Sequence, residues 1–486
     1  MSVSRTEEGG SIPSAPILEM KFKEFVKKKE ILLLIGILVF AFFLRVYSLE
    51  TSVFWLDESI STMASLKILE KGLPVFDSGL FYGRAYLFHY LQSFFLLFGQ
   101  TDFLARFISV IFGLLTIFLA YKIGKEYSKS GGLICALFMS VFYLEVFFSR
   151  QARFYQLFQL GFFASLYFLY KSKENPKWLY LALISFFVTI NTQIAGLVLA
   201  PFFIIHILYY NKGWKKYLAL LPGISLFSKF LPAKANSSDS TISAVTYFSR
   251  YARQTSNMVY ILILFVPGVI WSFIKKKRLT FLLVVPSVIL LVGVFALKTF
   301  ALRYAYFFVF ILVLYSSLLI SFLYEKYGKI MLVAIFILLI IPSNLFFPHT
   351  YVNMILPVDY NYNDYSAPEI DLKNIPLDLK DDLMRGNLFC FFSPSVERYL
   401  KKPDYVFPFS MTGIGNDTIS YRGVDVYSGA EIRMVKPEED YYFIADYYSL
   451  NKLKPFQREA FEEIVRGCGV PYENKDLKIY NCKTII

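Results

Sequence analysis

The sequence is short of charge and almost without histidine. Asp, Glu, Lys and Arg supply only 18% of its 486 residues, and histidine occurs three times, at His89, His206 and His349. A chain so poor in charge is excluded from the disordered class, which has the opposite composition. Three histidines far apart in sequence give little support to a His-rich metal site. Four cysteines without a CxxC pair argue against zinc. Cys135 lies in an apolar run and reads as core. Cys468 and Cys482 could pair if the tail lies outside the cell, which would leave Cys390 free. No internal repeat is present.

What the sequence does have is apolar and aromatic. Hydrophobic residues make up 56% and aromatics 19%, and the mean hydropathy is +0.49. A soluble globular enzyme is not built this way. The apolar residues are clumped into runs long enough to span a bilayer, which takes about 20 residues. Eleven candidates fall near 31–48, 104–123, 131–148, 155–170, 177–192, 195–210, 217–233, 257–274, 280–297, 304–323 and 330–347. The predicted architecture is therefore a polytopic α-helical membrane protein of about eleven spans. Residues 1–30 form a disordered basic N-terminus, 31–347 the membrane domain, and 348–486 a small α/β domain. In that tail 388–392, 441–445 and 477–482 read as strands and 455–466 as an amphipathic helix.

The formal charge of +13 reads as topology and not as nucleic-acid binding. With the N-terminus in the cytoplasm, every inner loop is basic: Lys122, Lys125 and Lys129; Lys171, Lys173 and Lys177; Lys212, Lys215 and Lys216; Lys275 to Lys277 with Arg278; Lys326 and Lys329. This predicts a multi-pass plasma-membrane protein with its C-terminal domain outside. Its weakest span is 217–233, which holds Pro222, Gly223 and Lys229. Asn236-Ser237-Ser238 and Asn416-Asp417-Thr418 are sequons on the same outer side.

Chemistry is expected on the outer face, in the long first loop 49–103. Trp55-Leu56-Asp57-Glu58 precedes a stretch in which Ile60, Met63, Ala64 and Ile68 share one helical face, and Gly72-Leu73-Pro74 closes it. A purely structural account makes Asp57 the N-cap of a short helix lying on the membrane surface, ended by Gly72. Two adjacent acids at an apolar interface are nevertheless expensive unless used or paired, so Asp57 and Glu58 are the candidate catalytic residues. Arg84, Arg150, Arg153, Tyr155, Arg303 and Tyr304 fall on the same side, with Lys298, Arg250 and Arg253. A single arginine at a span end is usually an anchor that snorkels to the headgroups. Several converging on an acid suit an anion, because the guanidinium fork takes two phosphate oxygens at once. A carboxylate base beside a phosphate clamp at a membrane fits transfer of a sugar from a polyprenyl phosphate. The leaving phosphate needs positive charge and no general acid. One carboxylate suffices to deprotonate the acceptor hydroxyl, and a single displacement inverts the anomeric centre.

These motifs, with Tyr82-Gly83-Arg84, Phe98-Gly99, Arg106, Ser149-Arg150-Gln151-Ala152-Arg153-Phe154-Tyr155 and Arg303-Tyr304, resemble the membrane-embedded C-type (GT-C) glycosyltransferases of the protein mannosyltransferase and lipid A aminoarabinose transferase type. The resemblance covers about residues 31–347. It implies surface helices in the first loop packed over a lipid-donor cavity, Asp57 as base, and exterior basic residues on the donor phosphate. It implies as partners a polyprenyl-phosphate-linked sugar, an acceptor lipid, glycan or protein, and membrane lipids. The sequence departs from these relatives at Gly83-Arg84, Phe154-Tyr155 and Gln193, and it lacks the Trp-Trp-Asp triplet of oligosaccharyltransferases. Donor sugar, acceptor and the involvement of a divalent metal ion stay open. A transporter or lipid flippase is the rival reading. It expects ionisable groups near the bilayer midplane, where this chain has almost none. A third reading makes the spans a mere anchor for a binding tail.

Overall fold

The computed structural model describes residues 15–210, 259–296, 302–328, 370–408, 420–421 and 424–483, with isolated positions from 330 to 337. The predicted spans 217–233 and 330–347, both sequons, Lys298, Arg250 and Arg253 lie outside the described residues or at their margin. The long first helix α1 (Ala15–Val46) begins inside the segment 1–30 expected to be disordered, which corrects that expectation from Ala15 onward, and is followed by two helices in the first loop, α2 (Leu56–Lys71) and α3 (Tyr86–Leu96). The bundle continues through α4 (Asp102–Lys125), α5 (Gly131–Val141), α6 (Tyr143–Ser149), α7 (Tyr155–Lys171) and α8 (Lys177–Thr192). A 3-10 turn, Ile194–Leu199, leads into α9 (Ala200–Tyr210). Then come α10 (Val259–Lys275), α11 (Lys277–Ala296), α12 (Leu302–Ala305) and α13 (Phe307–Tyr327). Among the described residues, α4, α11 and α13 are each long and apolar enough to cross a membrane, and α5 and α6 reach that length and hydropathy only together, across a bend of 63°.

That bend falls inside the predicted run 131–148 and has no proline to explain it. Phe142 is extended, with φ −64° and ψ 122°. The freed carbonyls of Met139 and Ser140 are taken by the buried Arg45 guanidinium at 3.4 and 2.9 Å. The half-helix ends so satisfied are tolerated within a bundle because side chains replace the lost backbone bonds. Beneath this break Glu145 is buried, with Gln159 Nε2 at 2.8 Å and the Tyr306 hydroxyl at 2.7 Å. The interior thus holds two ionisable residues, Arg45 and Glu145, in runs expected to be nearly free of them. The predicted inner loop at Lys275–Arg278 is a one-residue break between α10 and α11.

The C-terminal domain contains α14 (Leu377–Arg385), α15 (Ser393–Tyr399), α16 (Tyr447–Leu450) and α17 (Pro455–Ile464). Its eight strands are β1 (Asn387–Cys390), β2 (Tyr405–Val406), β3 (Ser420–Tyr421), β4 (Val424–Asp425), β5 (Glu431–Ile432), β6 (Tyr441–Asp446), β7 (Gly469–Glu473) and β8 (Leu477–Cys482). They form one mixed sheet in the order β3-β4-β5-β2-β1-β6-β8-β7. The centre β5-β2-β1-β6 is parallel, and both edges are antiparallel. Alternation along β1 sends Leu388 and Cys390 into one core and Phe389 into another. Cys468 and Cys482 are disulfide-bonded, and Cys390 is free and buried.

The first loop is gripped from both sides. Leu56, Ile60, Met63, Ala64 and Phe76 belong to the core of the C-terminal domain. The neighbouring Trp55 belongs to the core of the helical bundle, and Phe54 packs with Leu96, Ala105 and Ala152. The apolar face of α2 therefore covers the C-terminal domain and not the bilayer surface, which corrects the expectation of a helix lying on the membrane. The two bodies are also tied by polar contacts. Asp102 receives Arg398 at 2.7 Å, Lys373 at 3.3 Å and the Tyr399 hydroxyl at 3.0 Å. Tyr399 in turn accepts the Phe54 N–H at 2.7 Å.

Candidate active site

Helix α2 begins two residues earlier than a cap at Asp57 requires. Trp55 is the N-cap, with extended backbone at φ −76° and ψ 164°. Asp57 is the second helical residue and Glu58 the third. Both stand where the positive end of the helix dipole favours a carboxylate. Gly72 ends the helix in the left-handed region, φ 74°, with its N–H on the Ile68 carbonyl at 2.8 Å, a conformation that glycine adopts without strain.

The two acids have different fates. Glu58 is 1% exposed, and three residues direct four donor groups at its carboxylate. Arg106 gives Nε to Oε1 and Nη2 to Oε2, both at 2.9 Å. The Ala152 N–H reaches Oε1 at 2.6 Å and the Trp55 N–H reaches Oε2 at 3.4 Å. Arg106 also binds the carbonyls of Leu49, Ser52 and Val53. Glu58 is thus consumed in fastening α2 to α4 and to residue 152, and no face of it is open to a substrate. This corrects the expectation that both acids take part in the chemistry.

Asp57 is open. Its side chain is 23% exposed, beside the buried Arg153 (Nη2 to Oδ2 3.4 Å) and the half-exposed Arg303 (Nε to Oδ2 3.8 Å). Burial by itself raises the Asp57 carboxyl. The guanidinium charges of Arg153, Arg303 and Arg84 outweigh it and hold the group below the ordinary carboxylate value. Arg153 is locked by the Asp57 carbonyl at 2.9 Å, the Ser61 hydroxyl and the Tyr155 hydroxyl at 3.5 Å. Its guanidinium also lies against the rings of Trp55, Phe154 and Tyr155 at 5.9, 4.7 and 5.4 Å. Arg303 lies over Trp55 and Tyr304 at 5.4 and 5.3 Å. Burial raises the Tyr304 phenol, but Arg303 and then Arg84 bring it below its ordinary value. Arg84 is exposed, stacks on Phe154 at 5.5 Å, and is followed by Ala85 in left-handed backbone, φ 52°. That costs about 1–2 kcal/mol for a residue with a Cβ and marks a turn held in place by its surroundings.

The predicted residues Asp57, Arg84, Arg153, Tyr155, Arg303 and Tyr304 therefore come together, while Arg150 does not. It binds the carbonyls of Leu44, Tyr47 and Ser48 at 3.0, 2.7 and 3.3 Å, closing the C-terminal end of α1. The helical spacing expected of Arg150 and Arg153 fails because α6 stops at Ser149. A tight turn with the Arg153 N–H on the Gln151 carbonyl at 2.7 Å sends the two side chains apart. Sequence reasoning also missed Trp55 as the shared platform of two guanidinium groups, and the C-terminal domain's hold on this loop. Neither has a periodic signal.

Among the described residues, no group of three or more His, Cys, Asp or Glu could hold a metal ion. Around Asp57 the reason is plain. Its acidic neighbour is neutralised by Arg106, and the remaining groups are cations. This set does not fit a divalent metal, but it fits an anion.

The family model described as dolichyl-phosphate-mannose-protein mannosyltransferase matches residues 84–232. No curated protein matches the sequence significantly. Among solved structures, ArnT from Cupriavidus metallidurans in the apo state aligns with TM-score 0.57 at 11% identity, over 94% of this chain and 98% of that one. The same protein bound to undecaprenyl phosphate aligns with TM-score 0.57 at 11% identity, over 93% and 98%. The oligosaccharyltransferase AglB from Archaeoglobus fulgidus, in complex with an inhibitory peptide and a dolichol-phosphate, aligns with TM-score 0.52 at 12% identity, over 95% and 75%. The chain has a GT-C-type fold, and family model and fold together support the resemblance seen in its motifs.

Proposed function

We propose that this protein is an inverting glycosyltransferase that moves a sugar from a polyprenyl phosphate to an acceptor hydroxyl on the outer face of the membrane. The observation that carries the proposal is the single accessible carboxylate of Asp57 set among guanidinium groups, two of which, Arg84 and Arg303, are themselves open. Asp57, ionised at neutral pH, accepts the proton of the acceptor hydroxyl. The acceptor oxygen forms its bond to the anomeric carbon as the bond from that carbon to the phosphate oxygen breaks. The donor is a phosphodiester with one negative charge, and the departing polyprenyl phosphate gains a second. Arg84, Arg303 and the Tyr304 phenol are placed to stabilise that added charge, and cationic groups already fixed in place do so most effectively. Arg153, Tyr155 and Glu58 are positioning residues. The first two set the Asp57 carboxylate from behind, and the third fixes the helix that carries it. Outward orientation of the C-terminal domain is supported by its disulfide, which belongs in an oxidising compartment.

The test is incubation of purified protein with a panel of polyprenyl-phosphate sugars, followed by mass analysis of the lost sugar. One donor should be consumed. Asp57→Asn should lose transfer by about 10²–10⁴-fold, the range for a removed general base, while still binding that donor. Wild-type turnover by the variant, or a panel left intact by the wild type, would refute the proposal.

A further inference from the structure

The C-terminal domain does more than brace α2, because one of its turns reaches the site. In the turn after β4, the buried Asp425 carboxylate accepts the Ser393 hydroxyl at 2.6 Å, the Ser428 N–H at 2.8 Å, the Ser428 hydroxyl at 2.7 Å and the Tyr427 N–H at 3.2 Å. The turn is therefore rigid before it meets anything. It docks on residues 76–82 of the first loop. The Ser78 hydroxyl donates to the Val426 carbonyl. Gly429, with φ +69°, comes so close that a Cβ would stand 3.1 Å from the Asp77 carbonyl and the Ser78 nitrogen. No other residue fits there without moving the loop. The outcome is the position of Tyr427. Its ring meets Phe76 at 5.4 Å and Phe392 at 6.1 Å, and Phe76 meets Tyr82 at 5.3 Å. Tyr427 and Tyr82 are both half-exposed. Tyr82 stands two residues before Arg84 in the same loop, and Phe76 joins its ring to that of Tyr427. Neither phenol hydroxyl has a hydrogen-bond partner among the described residues.

We propose that Tyr427 and Tyr82 form the acceptor side of the site, an aromatic wall that receives a sugar ring and presents its hydroxyl to Asp57. This rests on the glycosyl-transfer reading above and deepens it, because it makes the acceptor a carbohydrate-bearing molecule. The chemistry is specific. A pyranose offers an apolar C–H face, which an aromatic ring covers, and hydroxyls, which unpartnered phenols can satisfy. An extended peptide would need backbone donors and acceptors, and this wall supplies aromatic faces and hydroxyls only. The cationic side of Asp57, with Arg84 and Arg303, is left to the phosphate.

The experiment measures two kinds of binding separately on the full-length protein. Methyl glycosides of glucose, mannose and galactose, and a serine-containing hexapeptide, are examined by saturation-transfer NMR. Undecaprenyl phosphate and dolichyl phosphate are examined by native mass spectrometry. At least one glycoside should give saturation transfer with the wild type. That signal should fall at least fivefold in Tyr427→Ala and by a smaller factor in Tyr427→Phe, which keeps the ring, while the polyprenyl phosphate remains bound in both. Equal glycoside signals in Tyr427→Ala, a response to the peptide alone, or joint loss of glycoside and polyprenyl phosphate in Tyr427→Phe would overturn the proposal. Failure of the wild type to bind either polyprenyl phosphate would count against the donor reading, while the glycoside arm still reports on the wall.

Discussion

Glu58→Gln is expected to behave as a folding defect, although it exchanges one of two adjacent acids for its nearest isostere. The four groups around the carboxylate are all donors: two guanidinium N–H groups and two backbone N–H groups, at 2.6–3.4 Å. An amide has one acceptor oxygen. Whichever way it is turned, its NH2 faces one guanidinium nitrogen and one backbone N–H. The substitution therefore removes a countercharge from a buried arginine and strands a buried backbone donor. Breaking a buried pair on one side costs about 3–5 kcal/mol, of which a stranded donor accounts for about 1–3 kcal/mol. The loss falls where α2, α4 and residue 152 meet, so this whole end of the bundle should loosen. Thermal unfolding of purified variants in detergent, without donor, reads this directly. Glu58→Gln should melt well below the wild type, while Asp57→Asn, whose carboxylate is partly exposed and meets its arginines at 3.4 and 3.8 Å, should lose less stability and be inactive. A Glu58→Gln variant with unchanged melting and no activity would refute the reasoning and return Glu58 to the chemistry.

Further expectations concern charge and the C-terminal domain. The three guanidinium groups hold Asp57 below its ordinary value of 3.8, so the base is ionised above that pH and is lost only as pH falls through the lower folded value. The acid limb of kcat/KM should therefore lie below the ordinary carboxylate range in the wild type and move upward in Arg303→Ala; a limb that stays fixed would show that Arg303 does not act on Asp57. Burial raises the Glu397 carboxyl from 4.5 to about 7, against the lowering charge of Lys67 and with the help of Asp77. The folded state then holds a proton that the unfolded state has released, and this contribution to stability declines as pH rises between those values. Glu397→Gln should flatten that part of the stability–pH curve, and an unchanged slope would assign it elsewhere. Replacing Cys468 and Cys482 with serine opens a closure of 14 residues. By chain entropy it should lower the domain's stability by about 3 kcal/mol, measured as a fall in its unfolding midpoint; an unchanged midpoint would mean that the reduced chain is equally constrained.

The parts of this molecule that were legible in the sequence are those written in local pattern. Apolar runs located α4, α7, α8 and α13, because in a membrane the backbone must satisfy itself within the segment. Short apolar stretches in a polar tail located β1, β6 and β8. Gly72 marked the end of α2, since a left-handed terminus selects glycine. At the site, an acid beside several outward arginines was enough to gather Asp57, Arg84, Arg153 and Arg303. What could not be read depends on partners distant in sequence. Glu58 meets Arg106 across 48 residues, and Phe54 meets Tyr399 across 345. Arg150 was misplaced for a local reason, a turn at Gln151–Arg153 that broke the assumed helical spacing. The bend at Phe142 is set by Arg45, nearly a hundred residues earlier in the chain.

Phe54, Trp55 and Leu56 are consecutive, yet each is buried in a different hydrophobic cluster. Immediately after them stands the carboxylate assigned to proton abstraction. Evolution cannot transplant the soluble half of such a protein as an independent cassette, because a foreign domain would leave Leu56, Ile60 and Met63 facing water and let the base drift. Whatever diversifies among its relatives should therefore do so in concert, with the segment 49–101 and the terminal sheet exchanged together or not at all.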